Sequence, residues 1–164
     1  SWQRGCPDLI PGLEAKPFWD IHRLPWVATI EESVDTIRDE VFALRGRESF
    51  RPYRSPSSAT DKAPDGIGSV GTDAGAWSVL YLHLHGMNFE ENRSLCPKTC
   101  ALIESIPHHY HHAFFSAMSA GSHIKRHHGP TNKKLRCQVP LVVPRGSCKL
   151  RVGEETRVLE EGKC

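Results

Sequence analysis

Residues 114–144 read FFSAMSAGSHIKRHHGPTNKKLRCQVPLVVP, and residues 148–161 continue as CKLRVGEETRVLEE. AFFSAMSA runs to a turn at Gly121, SHIKRH follows, and LRCQVPLVVP and CKLRVGEETRVLEE come after a Gly129-Pro130 turn. Several short strands separated by glycine and proline turns predict an antiparallel β-sandwich or barrel. Lys134-Leu135-Arg136 begins an alternating strand that puts Lys134, Arg136 and Gln138 on one face.

Outward from this stretch, AWSVLYLHL from Ala76 reads as a further strand, with Trp77, Val79, Tyr81, His83 and His85 on one face. KTCALIES (98–105) reads as a short helix that Pro107 follows. TIEESVDTIRDEVFALR (29–45) has Ile30, Val34, Ile37, Val41 and Leu44 at helical spacing, and Thr29 with Glu32 forms a capping box. Residues 1–27, with PGLEAKPFWD and LPW, read as extended chain anchored by aromatic plugs. Residues 46–75 carry three prolines and five glycines and predict a long surface loop. The fold class is mostly β (α+β), one domain over 1–164. Residues 1–75 supply the leading segment, helix and loop, and 76–164 supply the strands.

The 164 residues suffice for a buried core, and 38% apolar with 24% charged residues is ordinary for a globular chain. A net charge of +2 is too small to argue for nucleic acid or a membrane surface as partner, and no nucleic acid is expected. No apolar run approaches the roughly 20 residues that span a bilayer, and SWQRGC is unlike a signal peptide. The first residue is Ser1, so the chain reads as a piece of something larger. The six cysteines form no CxxC unit, which argues against a zinc ribbon. Cys96 and Cys100 suit a small disulfide loop or two free thiols at a loop-to-helix junction.

Ten histidines are many for this length. Nine of them cluster, as His83 with His85, as HHYHH (108–112), and as His123 with His127 and His128. Neutral imidazole is the commonest protein ligand of transition metals, yet the first two clusters also read as polar strand-face and turn residues. The third places a histidine at a strand end directly before a tight turn, followed by cationic groups. An imidazole there can hold a metal, and a guanidinium can grip a carboxylate through two parallel hydrogen bonds.

These segments resemble the aspartyl/asparaginyl β-hydroxylase family of Fe(II)/2-oxoglutarate dioxygenases over nearly the whole chain. The resemblance is carried by PGLEAKPFWD with LPW, by GAWSVLYLHLHG and NFEENRSLCPKTCALIESIP, and most specifically by the 114–144 stretch with CKLRVGEETRVLEEGK. It implies a double-stranded β-helix (jelly roll) with flanking N-terminal helices. It also implies hydroxylation of a substrate β-carbon coupled to oxidative decarboxylation of 2-oxoglutarate. Gly129 stands where related dioxygenases carry a ligating carboxylate, so iron would be held by two histidines. His127 aligns with the first of them. Ser116 would contact the distal carboxylate of 2-oxoglutarate, Arg136 its metal-side carboxylate, and Met118 would line the pocket. Gln138 stands where histidine is frequent beside the cosubstrate. Lys134 replaces an arginine that faces substrate, keeping charge but losing the bidentate fork.

The family's second histidine ligand and a further basic residue are expected beyond Cys164. The last core strands are then missing, the isolated chain is expected to be inactive, and a strand edge is left open. Expected partners are protein or small-molecule substrates: relatives act on EGF-like domains, free amino acids or a lipid A acyl chain. Eukaryotic relatives sit in the endoplasmic reticulum lumen behind a membrane anchor, and bacterial ones are often cytosolic. Two other readings remain open, a non-catalytic β-sandwich binding module and a His-rich metal-binding protein whose zinc or nickel affinity survives loss of His127.

Overall fold

A computed structural model describes residues 9–44, 50–53, 72–84, 87–109, 111–127, 129 and 131–164. The chain forms two compact units. The first comprises Ser1–Leu13, Gly46–Asn92 and Tyr110–Lys134; the second comprises Glu14–Arg45, Arg93–His109 and Leu135–Cys164. Mixed helices and antiparallel sheets make the protein α+β.

In the first unit, β1 (Arg51–Pro52), β3 (Trp77–Leu84) and β4 (His112–Met118) form a sheet in the order β1-β3-β4. Pro52 cannot donate to a ladder, and it sits on an edge strand where that costs nothing. Trp77 pairs with Met118, Val79 with Ser116, Leu80 with Phe115 and Tyr81 with Phe114, with an irregularity between Tyr81 and His83. Leu80 and Phe115 share one face and are buried, as are Val79 and Leu82. The end of the sheet is closed by serines: Ala76 N donates to Ser119 Oγ (2.9 Å), Ser119 N to Ala76 O (3.0 Å), and Ser122 Oγ to Ala76 O (3.1 Å).

A second, two-stranded sheet pairs β2 (Thr72–Ala74) with β5 (His123–Ile124). Gly75 takes φ +70° beside it, and a Cβ added there would stand 2.7 Å from Ser122 Cα. Gly75→Ala therefore combines left-handed strain with a backbone clash, expected to cost about 1–3 kcal/mol. A thermal melt checks this; an unchanged midpoint would refute the close approach.

The second unit is built on α1 (Trp26–Glu32), α2 (Val34–Phe42) and α4 (Pro97–Glu104), with a hairpin of β6 (Lys149–Val152) and β7 (Glu155–Val158). The short helix α3 (Glu90–Leu95) spans the boundary between the units. Val27, Ile30, Val34, Ile37 and Leu44 are buried on one stripe, and Cys96, Thr99 and Cys100 are buried with α4. Pro97 opens α4, where its missing N–H is harmless. Cys96 offers no capping bond, and Glu40 of α2 replaces it. That carboxylate accepts from Lys98 N (2.9 Å), Thr99 N (2.8 Å) and Thr99 Oγ1 (2.6 Å). Negative charge at a helix N-terminus is also favoured by the helix dipole.

Several expectations are corrected. The helix over 29–45 is two helices, and the first begins at Trp26, so Thr29 is not a cap. The break falls at Ser33, whose hydroxyl donates back to Thr29 O (2.7 Å), a bond that diverts the local chain. Within 46–75, β1 and β2 flank residues 54–71, which lie outside the described residues. SHIKRH is strand only at His123–Ile124. Residues 134–140 carry no strand, so the shared face of Lys134, Arg136 and Gln138 is not formed. Alternation alone cannot make a strand without a partner to complete its hydrogen bonds. Here Pro140, Leu141 and Val143 are instead held by single bonds: Gly162 N to Pro140 O (2.8 Å), Arg38 Nε to Leu141 O (2.8 Å), and Val143 N to Glu161 Oε1 (2.8 Å).

Among the described residues the three sheets remain separate and no barrel closes. No helix among them is long and apolar enough to cross a membrane.

Candidate functional site

The β3–β4 register brings Trp77, Val79, Tyr81, Phe114, Ser116 and Met118 to one sheet face, because directly opposed residues point the same way. Tyr53 N donates to Trp77 O (2.9 Å), and its ring stacks on Trp77 at 3.7 Å between centroids, 13° from parallel. The Trp77 indole Nε1 donates to Ser116 Oγ at 2.8 Å. An indole N–H can only donate, so Ser116 accepts and its own hydrogen is left to donate to another group. Ser116 and Met118 are exposed. Pro52, Tyr53, Thr72, Ala76, Trp77 and Ser78 line an adjoining pocket of about 310 Å³.

His127 lies three residues past β5, in the same unit. The strand is anchored by His123, whose Nδ1 lies 2.7 Å from Asp73 Oδ1. That hydrogen bond holds the Asp73 carboxyl below its ordinary value. His127 is exposed, and its Nδ1 lies 2.8 Å from Lys125 O. A carbonyl only accepts, so Nδ1 carries the hydrogen and the neutral ring keeps its lone pair on Nε2. This backbone-oriented tautomer is the one metal-ligating histidines adopt.

The chain after it is fastened locally. Thr131 is buried and its Oγ1 accepts from Lys133 N (3.2 Å). The Asn132 amide pairs with the main chain of Ile10 in both directions, accepting from its N–H and donating to its C=O, each at 2.9 Å. His128 and Pro130 lie outside the described residues. Lys134, half-buried, ends the first unit, and Arg136 and Gln138 are exposed in the second.

The other histidines form smaller groupings. The His83 and His111 rings meet edge-on at 6.2 Å, and His112 packs 5.4 Å from Phe114. His85 lies outside the described residues. Among the described residues no group of three or more His, Cys, Asp or Glu could hold a metal. Cys96 and Cys100 are free thiols, and burial pushes both up to about 11. The disulfide loop is therefore not formed here, and thiols this basic are protonated and unreactive at neutral pH.

Trp77 and Asn132 were not marked as site residues in the sequence. Trp77 sits on its expected strand, but its partner Ser116 becomes visible only once the register is known.

The structure is thus that of an α+β protein in which one unit carries both the Trp77–Ser116 sheet face and the His127 imidazole oriented by Lys125 O. The chain belongs to the aspartyl/asparaginyl β-hydroxylase family: the model of that family, Aspartyl/Asparaginyl beta-hydroxylase, matches residues 31–164. It is similar to human aspartyl/asparaginyl beta-hydroxylase, 31% identical over 99% of this chain and 21% of the relative. It is 32% identical to the ornithine lipid ester-linked acyl 2-hydroxylase of Rhizobium tropici over 99% of this chain and 56% of that protein. It is 35% identical to human aspartate beta-hydroxylase domain-containing protein 2 over 95% of this chain and 41% of that one. The chain thus spans from about a fifth to just over half the length of these relatives.

Proposed function

We propose that this chain serves an Fe(II)/2-oxoglutarate-dependent hydroxylase of a substrate β-carbon, on the jelly roll its family resemblance implies. The observation that carries the reading is the exposed His127 ring, whose Nδ1 is committed to Lys125 O, which leaves the Nε2 lone pair to donate. Iron(II) accepts such an imidazole readily, so the donor fits. The chemistry supplied when iron and 2-oxoglutarate are bound is oxidative decarboxylation of the cosubstrate coupled to hydroxyl insertion at a C–H bond.

The chain's own residues bind and orient. Ser116, with its oxygen occupied by Trp77, donates its hydrogen to the distal carboxylate of 2-oxoglutarate, and Met118 lines the same face. The roles of Arg136 and Gln138 towards the cosubstrate, and of Lys134 towards substrate, rest on the family resemblance. Relatives named as acting on aspartyl/asparaginyl residues and on an ornithine-lipid acyl chain support a hydroxylase reading with either substrate type. We favour an aspartyl or asparaginyl residue, or a related substrate.

The test is hydroxylation by the gene product at its natural length, with Fe(II), 2-oxoglutarate and oxygen. An EGF-like domain peptide should gain one oxygen, with one succinate formed per product. Absence of succinate with every substrate tried, at proven iron loading, would overturn the reading. Trp77→Phe keeps the stack on Tyr53 but removes the bond to Ser116. It is expected to raise the KM for 2-oxoglutarate by about fivefold to tenfold, the worth of one hydrogen bond, with kcat little changed. An unaltered KM would remove Ser116 from the cosubstrate site.

A further inference from the structure

Lys125 O orients the His127 ring, so whatever fixes that carbonyl also fixes which ring nitrogen is left to bind. Lys125 directly follows β5 (His123–Ile124), a strand of two residues whose partner is β2 (Thr72–Ala74). An isolated two-stranded pair is marginally stable at best. Side chains of the first unit hold this one in two places. Just before β5, Ser122 Oγ donates to Ala76 O (3.1 Å) and lies 3.0 Å from Ser119 Oγ. On β5 itself, His123 Nδ1 lies 2.7 Å from Asp73 Oδ1.

The register explains the second fastening. Thr72 pairs with Ile124 and Ala74 with His123, so Asp73 is an extra residue with no Cα partner of its own. Bulges of this kind recur beside functional sites, where they aim a side chain. Here the bulged residue contributes through its carboxylate what the ladder lacks at that point. A carboxylate only accepts, so His123 Nδ1 carries the hydrogen. A hydrogen bond to an ionised acceptor is roughly twice as strong as one between neutral groups.

We propose that Asp73 is a positioning residue for the iron-binding nitrogen of His127. Its carboxylate holds His123, and His123 keeps β5 against β2. The strand then presents the Lys125 carbonyl that keeps hydrogen on His127 Nδ1 and the lone pair on Nε2. A free histidine side chain favours the opposite tautomer, so slack in β5 returns the ring towards the form that cannot ligate through Nε2. This role rests on the reading of His127 as the iron ligand. Both Asp73 and His123 are exposed, and such pairs add little to global stability. Loss of the pair is therefore expected to alter the ring and hardly the melting temperature.

The test uses the metal-free protein at its natural length, with isotope-labelled histidine, at about pH 8, where imidazole is neutral. Long-range proton–nitrogen NMR spectra report which nitrogen of His127 carries the hydrogen, its signals being assigned by their loss in His127→Ala. The natural protein should show hydrogen on Nδ1, and Asp73→Ala a mixture of the two tautomers. The Fe(II) dissociation constant of Asp73→Ala should rise about tenfold, the lower end for partners of a metal-ligating histidine. Asp73→Asn keeps an acceptor oxygen and should restore both readouts. An unchanged His127 tautomer in Asp73→Ala, or equal change in Asp73→Ala and Asp73→Asn, would overturn the proposal. A tautomer that responds in a protein forming no succinate would uphold the positioning and overturn the hydroxylase reading. An unresponsive tautomer in an active enzyme would do the reverse.

Discussion

His127→Ala is expected to abolish Fe(II)-dependent succinate formation by the protein at its natural length, by more than about a hundredfold. Loss of a group that merely orients a metal ligand already costs about 10–100-fold, and here the ligand itself is removed. The expected loss is specific because His127 is exposed and makes one local bond, to Lys125 O, so its removal leaves no cavity. Far-UV circular dichroism and the thermal midpoint should be unchanged while iron binding measured at equilibrium weakens. A variant that retained turnover would move the metal elsewhere, with the His83 and His111 pair as the next place to examine. Iron bound normally without turnover would instead separate binding from catalysis and leave the ligand assignment wrong.

Glu40→Ala carries the largest expected effect on stability. It strips the N-terminus of α4 of three hydrogen bonds and leaves the hydroxyl and backbone N–H of buried Thr99 unmet, while water can reach the exposed Lys98 N–H. Each such bond to a charged group is worth about 1.5 kcal/mol or more, and unmet donors add to the cost. A loss of about 2–4 kcal/mol follows. That corresponds to a fall of roughly 5–10 °C in Tm for a chain of this size. Glu40→Gln, keeping one acceptor oxygen, should lose about half as much.

The pH dependence has a definite sign. Burial raises the Glu40 carboxyl, but the bonds from Thr99 and Lys98 outweigh it and hold the group below its ordinary 4.5. A group whose folded-state pKa is depressed contributes its stability fully above the unfolded value. That contribution is lost as pH falls from about 4.5 through the folded value. The gap in Tm between the natural protein and Glu40→Ala should therefore be constant near neutrality and close on acidification below 4.5. A gap independent of pH in that range would mean that the carboxylate charge does not cap α4.

Much of the local structure was legible in the sequence. The strand from Ala76, read from its alternation, forms at Trp77–Leu84, and the helix read over 98–105 forms at Pro97–Glu104. Of the apolar stripe Ile30, Val34, Ile37, Val41 and Leu44, all are buried except Val41, which is half-buried. The failures have two causes, one local and one remote. Ser33 splits a helix through a bond whose choice between solvent and Thr29 O is invisible to periodicity. Residues 134–140 alternate like a strand, but no ladder forms there, since pairing depends on a second segment that the run itself does not specify.

The same division holds at the candidate site. By itself the sequence determined the family, through the 114–144 stretch, and named His127, Ser116, Met118, Lys134, Arg136 and Gln138 as residues to follow. Side-chain chemistry and motif spacing are properties of the chain alone. Only the tertiary structure decided that the Trp77 indole donates to the Ser116 hydroxyl across 39 positions, that Glu40 caps a helix 58 positions away, and that Asn132 grips Ile10 across 122. Each is a single directional hydrogen bond between remote segments. Its partner is chosen by strand register and helix packing, which no local pattern of residues contains.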